Sequence, residues 1–91
     1  MQKGIDGFLD YLRYERNRSE NTVESYRRDL EAFQQFFSSL DSELTFATVD
    51  TDVVRDWMEH QLDQGNRATT VARRLSALKT YYRYLLARGY V

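Results

Sequence analysis

Apolar side chains recur at helical spacing in four stretches of this chain. Over residues 68–88, at 100° per residue, Val71, Leu75, Leu78, Tyr82 and Leu85 fall on one stripe, with Leu86 on its flank. Thr69, Arg73, Ser76 and Thr80 lie opposite, with Arg83 at their edge. One side of this helix is predicted to be core and the other to serve something else. Over residues 21–40 a second stripe runs Val23, Tyr26, Leu30, Phe33, Phe37; Asn21, Glu24, Ser25, Arg28 and Gln35 oppose it, and Arg27 sits at the boundary. Residues 5–16 repeat the pattern with Ile5, Phe8, Leu9 and Leu12, Tyr11 lying beside them. A further helix, starting at Asp50 or Thr51, turns Val53, Val54, Trp57, Met58 and Leu62 inward and Asp56, Glu59 and Asp63 outward.

What lies between these stretches reads as punctuation. Proline is absent and only four glycines occur, so helices end only where end signals stand. Residues 16–21 contain no apolar side chain, and Ser19 or Asn21 is a competent N-cap for the second helix. Asp50 or Thr51 does the same for the third, with Asp52 in the first turn, where the helix dipole favours an anion. Gly65 and Gly89 supply stops for the third and fourth helices. Leu44, Thr45 and Phe46 are expected to form an extended tie whose apolar side chains cover the core, too short to be a strand. The expectation is an all-α domain of four helices spanning 1–91, with no internal repeat or linker.

Composition narrows the function classes. Ninety-one residues with 42% hydrophobic content suit one small core. No cysteine is present, which removes disulfides and thiolate metal sites. No stretch approaches the roughly 18 apolar residues of a membrane span, and a cytoplasmic domain with no membrane partner is expected. The net charge of −1 hides a segregation. Residues 41–63 hold seven acids and one basic group, whereas residues 64–91 hold six basic groups (Arg67, Arg73, Arg74, Lys79, Arg83, Arg88) and no acid. At a Debye length of about 8 Å in physiological salt, a polyanion responds to the nearest face before the total charge.

Candidate catalytic chemistry is thin. His60 is the one histidine, so a triad or histidine-based metal site has no partners. No cofactor and no metal is expected. Seven tyrosines are present, with Tyr26 and Tyr82 on core stripes and Tyr81, Tyr84 and Tyr90 read as an aromatic lid near the end. Two polar faces remain: Asn21, Thr22, Ser25 and Arg28 on the second helix, and Thr69, Arg73, Ser76, Lys79 and Arg83 on the fourth. Arginine with short hydroxyl and amide side chains at one-turn spacing is the mixture that meets phosphates and base edges. A merely solvated face is the competing reading.

The run Glu20-Asn21-Thr22-Val23-Glu24-Ser25-Tyr26-Arg27-Arg28-Asp29-Leu30, followed by Phe33 and Phe37, resembles the second helix of the core-binding domain of tyrosine recombinases, the phage integrase and Xer family. The run Ala68-Thr69-Thr70-Val71-Ala72-Arg73-Arg74-Leu75-Ser76-Ala77-Leu78-Lys79-Thr80-Tyr81-Tyr82-Arg83-Tyr84-Leu85 is similar to that domain's fourth helix. The resemblance covers nearly the whole chain. It implies a SAM-like domain of two helical hairpins crossed at a steep angle, a module that clamps one face of a recombination-site duplex in DNA integration and recombination. The catalytic domain of such a parent is absent from this sequence. No tyrosine here is therefore assigned as nucleophile, and the chain alone is not expected to be an enzyme.

Carried over by position, the resemblance assigns Thr22, Ser25 and Arg28, with Asn21 on the same face, to groove and backbone from one helix. From the other it assigns Thr69, Arg73 and Ser76. Arg27, Arg74, Lys79 and Arg83 are better placed for phosphates, where a long cationic arm reaches around the helix edge. Arg74 can alternatively snorkel from the core border, and Glu24 departs from a simple basic pattern. The implied partners are double-stranded DNA and other recombinase protomers, with Phe8, Tyr11 and Tyr14 as candidates for the protomer contact. Alone, the domain is expected to be monomeric. The alternative is a helical protein-interaction domain of the SAM or death-fold type, in which the acidic third helix and basic fourth meet head to tail.

Overall fold

Four helices form where caps and stops permit. In the computed structural model, which describes residues 4–91, they are α1 (Gly4–Tyr14), α2 (Glu20–Leu40), α3 (Thr51–Asp63) and α4 (Ala68–Ala87), and the described residues contain no strand. Ser19 caps α2, its Oγ accepting from the Thr22 N–H at 3.2 Å, so this helix starts one residue before the expected Asn21. Asp50 caps α3 in the same way, accepting from the Val53 N–H at 3.1 Å. α1 ends two residues earlier than its apolar spacing predicts. Asn17 turns left-handed at φ 52° and the Arg18 N–H closes onto the Leu12 carbonyl. Gly65, at φ 91°, takes the left-handed turn that sends the chain from α3 toward α4.

The expected extended tie is instead a pair of turns. Leu44 N–H donates to the Asp41 carbonyl, and Thr48 and Val49 N–H both return to the Thr45 carbonyl. The Thr45 N–H also donates to Thr48 Oγ1 at 2.9 Å. Hydroxyl-to-backbone bonds of this kind compete with extended chain. Phe46 still covers the core, its ring 4.9 Å from that of Tyr81 and 5.1 Å from that of Phe37. The Tyr82 hydroxyl donates to the Phe46 carbonyl.

α2 and α4 form a central pair. α1 packs on both of them and α3 packs on both, while α1 and α3 do not meet. Because α4 has neighbours on three sides, its buried arc is wider than one stripe and is rotated from the expected one. Tyr81, Tyr84 and Ala77 are buried along with Val71, Leu78 and Leu85, whereas Leu75 and Tyr82 are half-buried. Leu86, expected on the core flank, is 68% exposed. Tyr81 is thus the middle of the core and not part of a lid, its ring 5.2 Å from that of Phe8. α3 is rotated similarly: Gln61 is buried beside Trp57, and the expected core residue Leu62 is 49% exposed.

The domain measures 37 × 28 × 18 Å. The shortest dimension is under two helix diameters, so the central pair cannot be wrapped on every side. Part of α2 and part of α4 share an open surface. No helix among the described residues is long and apolar enough to cross a membrane.

Candidate nucleic-acid interface

The open surface between α2 and α4 is a groove that holds the most connected polar cluster in the domain. Asn21, Thr22, Ser25 and Tyr26 line it from α2, and Arg73, Ser76 and Ala77 from α4. At its floor lies Asp29, only 5% exposed. Arg73 Nη1 donates to Asp29 Oδ2 at 2.5 Å and to Ser25 Oγ at 3.2 Å. Behind Asp29, the Arg74 Nε lies 3.7 Å from Oδ1, and Arg74 Nη1 donates to Gln61 Oε1 of α3 at 2.8 Å. One buried carboxylate thereby ties α2 to two consecutive arginines of α4, and the second of these reaches α3.

The arrangement has an energetic logic. A buried charge is tolerable only when paired and hydrogen-bonded, and Asp29 has a guanidinium on either side. Arg73 is 51% exposed. Its Nη1 makes the bonds to Asp29 and Ser25, and a guanidinium carries five N–H donors; its Nε and Nη2 donate to no other side chain among the described residues and stay available to a ligand. With the hydroxyls of Thr22, Ser25 and Ser76 and the amide of Asn21, the groove offers donors and acceptors suited to phosphate oxygens and base edges. Asp29 is its only lining carboxylate.

The structure sorts the sequence-predicted residues into groups. Asn21, Thr22, Ser25, Arg73 and Ser76 meet in the groove. Arg28 is exposed one turn from Ser25 and has no ion-pair partner among the described residues. Thr69 is exposed one turn before Arg73. Arg83 lies farther along α4, in an adjoining cleft. The other three go elsewhere. Arg27 pairs with Glu24 at 2.6 Å and lines a cleft toward α1 with Asp6, Asp10 and Glu31. Arg74 is committed to Asp29 and Gln61. Lys79 lies over the start of α3, in a hollow with Asp50, Thr51 and Tyr82.

Sequence spacing missed Asp29 and Gln61, both polar residues in the interior. The one available signal for Asp29 was its place between Arg28 and the stripe residue Leu30. Nothing in the local sequence of Gln61 distinguishes it from neighbouring surface positions. Tyr81 and Tyr82 serve the core: burial pushes the Tyr81 phenol well above its ordinary range and that of Tyr82 up to about 12. No group of three acidic, histidine or cysteine side chains among the described residues is arranged to hold a metal ion.

Comparison with known proteins agrees with this architecture. Residues 5–89 match the family described as phage integrase, N-terminal SAM-like domain. The chain is 40% identical over 85 residues to a tyrosine recombinase XerD of Rhizobium meliloti, covering 93% of this chain and 27% of that protein. It is 40% identical over 85 residues to a tyrosine recombinase XerC of Pelotomaculum thermopropionicum, covering 89% and 28%. A XerD of Pseudomonas aeruginosa is 41% identical over 88 residues, covering 96% and 28%. The chain spans about a quarter of the length of these curated relatives. No solved structure matches it.

Proposed function

Because this chain belongs to the phage integrase N-terminal SAM-like domain family, we propose that its α2/α4 groove binds duplex DNA as the site-clamping module of a tyrosine recombinase. The observation that carries the reading is the bond from Arg73 to Ser25, which joins the polar faces of two helices 48 residues apart in sequence into one surface. Arg73, Arg28 and the groove hydroxyls meet the backbone and the base edges. Arg83 adds a phosphate contact farther along α4. The parent protein breaks and rejoins DNA in the cytoplasm through residues outside this chain, and other protomers of the parent bind the same duplex. This chain by itself supplies binding and no strand cleavage.

A fluorescence-anisotropy titration of a labelled mixed-sequence duplex at several salt concentrations tests the reading. Binding weakens linearly in log–log form, with a slope of about −0.9 per phosphate contact. Affinity is weak, since half of a clamp encloses half of the duplex. Ser76→Asp, which sets a carboxylate in the groove at an exposed position, abolishes binding and leaves helicity intact. Self-association without duplex binding would overturn the proposal in favour of a head-to-tail interaction domain.

A further inference from the structure

Resting on that reading, we infer that the DNA surface continues past the two helices onto the α1–α2 connector, where Arg16 and Arg18 join Arg83 as a phosphate-binding site. The groove does not stop at Ser76. Tyr26 lines both it and a second cleft, which is walled by Arg16 and Arg18 of the connector and by Thr80, Arg83 and Arg88 of α4 and its end. Along α4, from Arg73 to Arg88, the continuous channel spans about 22 Å at 1.5 Å per residue. A duplex presents several phosphates over such a length.

Charge in this cleft is of one sign. Its lining holds four arginines and no carboxylate. Arg88 is held by Glu15 at 3.2 Å, with its guanidinium 5.0 Å from the Tyr84 ring centre. Arg16, Arg18 and Arg83 have no ion-pair or hydrogen-bond partner for their side chains among the described residues. Six of the twelve described basic side chains are paired with acids, and of the six that are not, three face this one hollow.

The two connector arginines stand on a fixed backbone. Arg16 N–H donates to the Tyr11 carbonyl at 3.1 Å, and Arg18 N–H to the Leu12 carbonyl at 2.9 Å. Between them Asn17 is left-handed, and Ser19 then caps α2. The loop is therefore pinned at both ends, which lowers the ordering cost of binding an anion there. The chemical class recognised is the phosphodiester backbone, read by charge and without base contacts, as long cationic side chains commonly do.

The test is the salt dependence of duplex binding by the 91-residue chain carrying Arg16→Ala and Arg18→Ala together. The slope of log affinity against log salt becomes shallower by about 1.8, from about 0.9 for each lost contact. Arg16→Lys with Arg18→Lys restores it, because charge and not fork geometry is what the backbone reads. Arg55→Ala, on α3 in a pair with Asp52 and outside both the groove and the cleft, leaves the slope unchanged, and circular dichroism is the same for all variants. An unchanged slope for the double alanine variant, with wild-type binding intact, overturns the connector site and leaves the groove standing. Absence of wild-type duplex binding overturns both.

Discussion

Arg27 and Arg28 are neighbours in the chain and meet different surroundings on α2. Arg27 turns toward α1, where Glu24 takes it at 2.6 Å in a cleft shared with Asp6, Asp10 and Glu31. Arg28, one turn on from Ser25, stays exposed and unpaired among the described residues. The rear cleft neutralises its cations with surface acids. The groove and its extension toward Arg83 keep theirs, apart from Arg88, which Glu15 holds, and Arg73, whose partner Asp29 is buried and doubles as scaffold. Whether an arginine serves an anion is decided by which carboxylates the fold delivers to it, a property that residue type does not reveal.

This contrast can be broken in a graded series. The largest effect is expected from Leu78→Ala, which removes a buried side chain of the central helix pair and costs roughly 2 to 5 kcal/mol, measured as a lower urea midpoint. A thermally neutral result would mean that α4 is turned differently. Asp29→Ala leaves Arg73 and Arg74 facing each other without their carboxylate. Because Arg73 is half-exposed, the cost sits near the low end of the roughly 3 to 5 kcal/mol for breaking a buried pair. Glu31→Ala in the rear cleft, an exposed acid, stays within about 0.5 kcal/mol. Equal costs for the two acids would erase the distinction drawn here.

A smaller effect concerns pH. Burial raises the Tyr82 phenol from 10.0 to about 12 and raises Tyr81 further. Between the unfolded and folded values the unfolded chain binds fewer protons, so stability falls as pH rises. The contribution is complete below about pH 10 and is lost as pH passes about 12. Tyr82→Phe flattens that alkaline loss and, at neutral pH, removes the bond to the Phe46 carbonyl at about 1 kcal/mol; thermal melts across this range check both. The finest test contrasts the consecutive arginines in duplex binding. Arg28→Ala makes the salt slope shallower by about 0.9, and Arg27→Ala leaves it where it was. The reverse result would relocate the interface to the rear cleft.

Much of this domain was legible from its residues. Four helices, the Asp50 and Ser19 caps and the Gly65 stop follow from local chemistry, because capping bonds and backbone sterics act within a few residues. The α2 stripe held for Val23, Leu30, Phe33 and Phe37. The misreadings have a shared cause. An ideal helical wheel places Leu62 inward and Leu86 on the core flank, yet a helix's burial depends on how many neighbours it has and on which sides. Tyr81 and Gln61 became central because α1 and α3 close on the flanks of α4.

The candidate interface divides in the same way. Asn21, Thr22, Ser25, Arg73 and Ser76 could be paired by helical spacing and resemblance. The departure of Arg74 and Lys79 to other surroundings, and the unpaired stance of Arg16 and Arg18, could not. Residue order determined where helices begin and end and which polar faces they carry, since those depend on interactions a turn or two long. Tertiary structure alone decided that Asp29 would lie between two arginines, since those pairings join α2 to residues 44 or more positions away. Such distances are set by packing, and a one-dimensional pattern does not encode them.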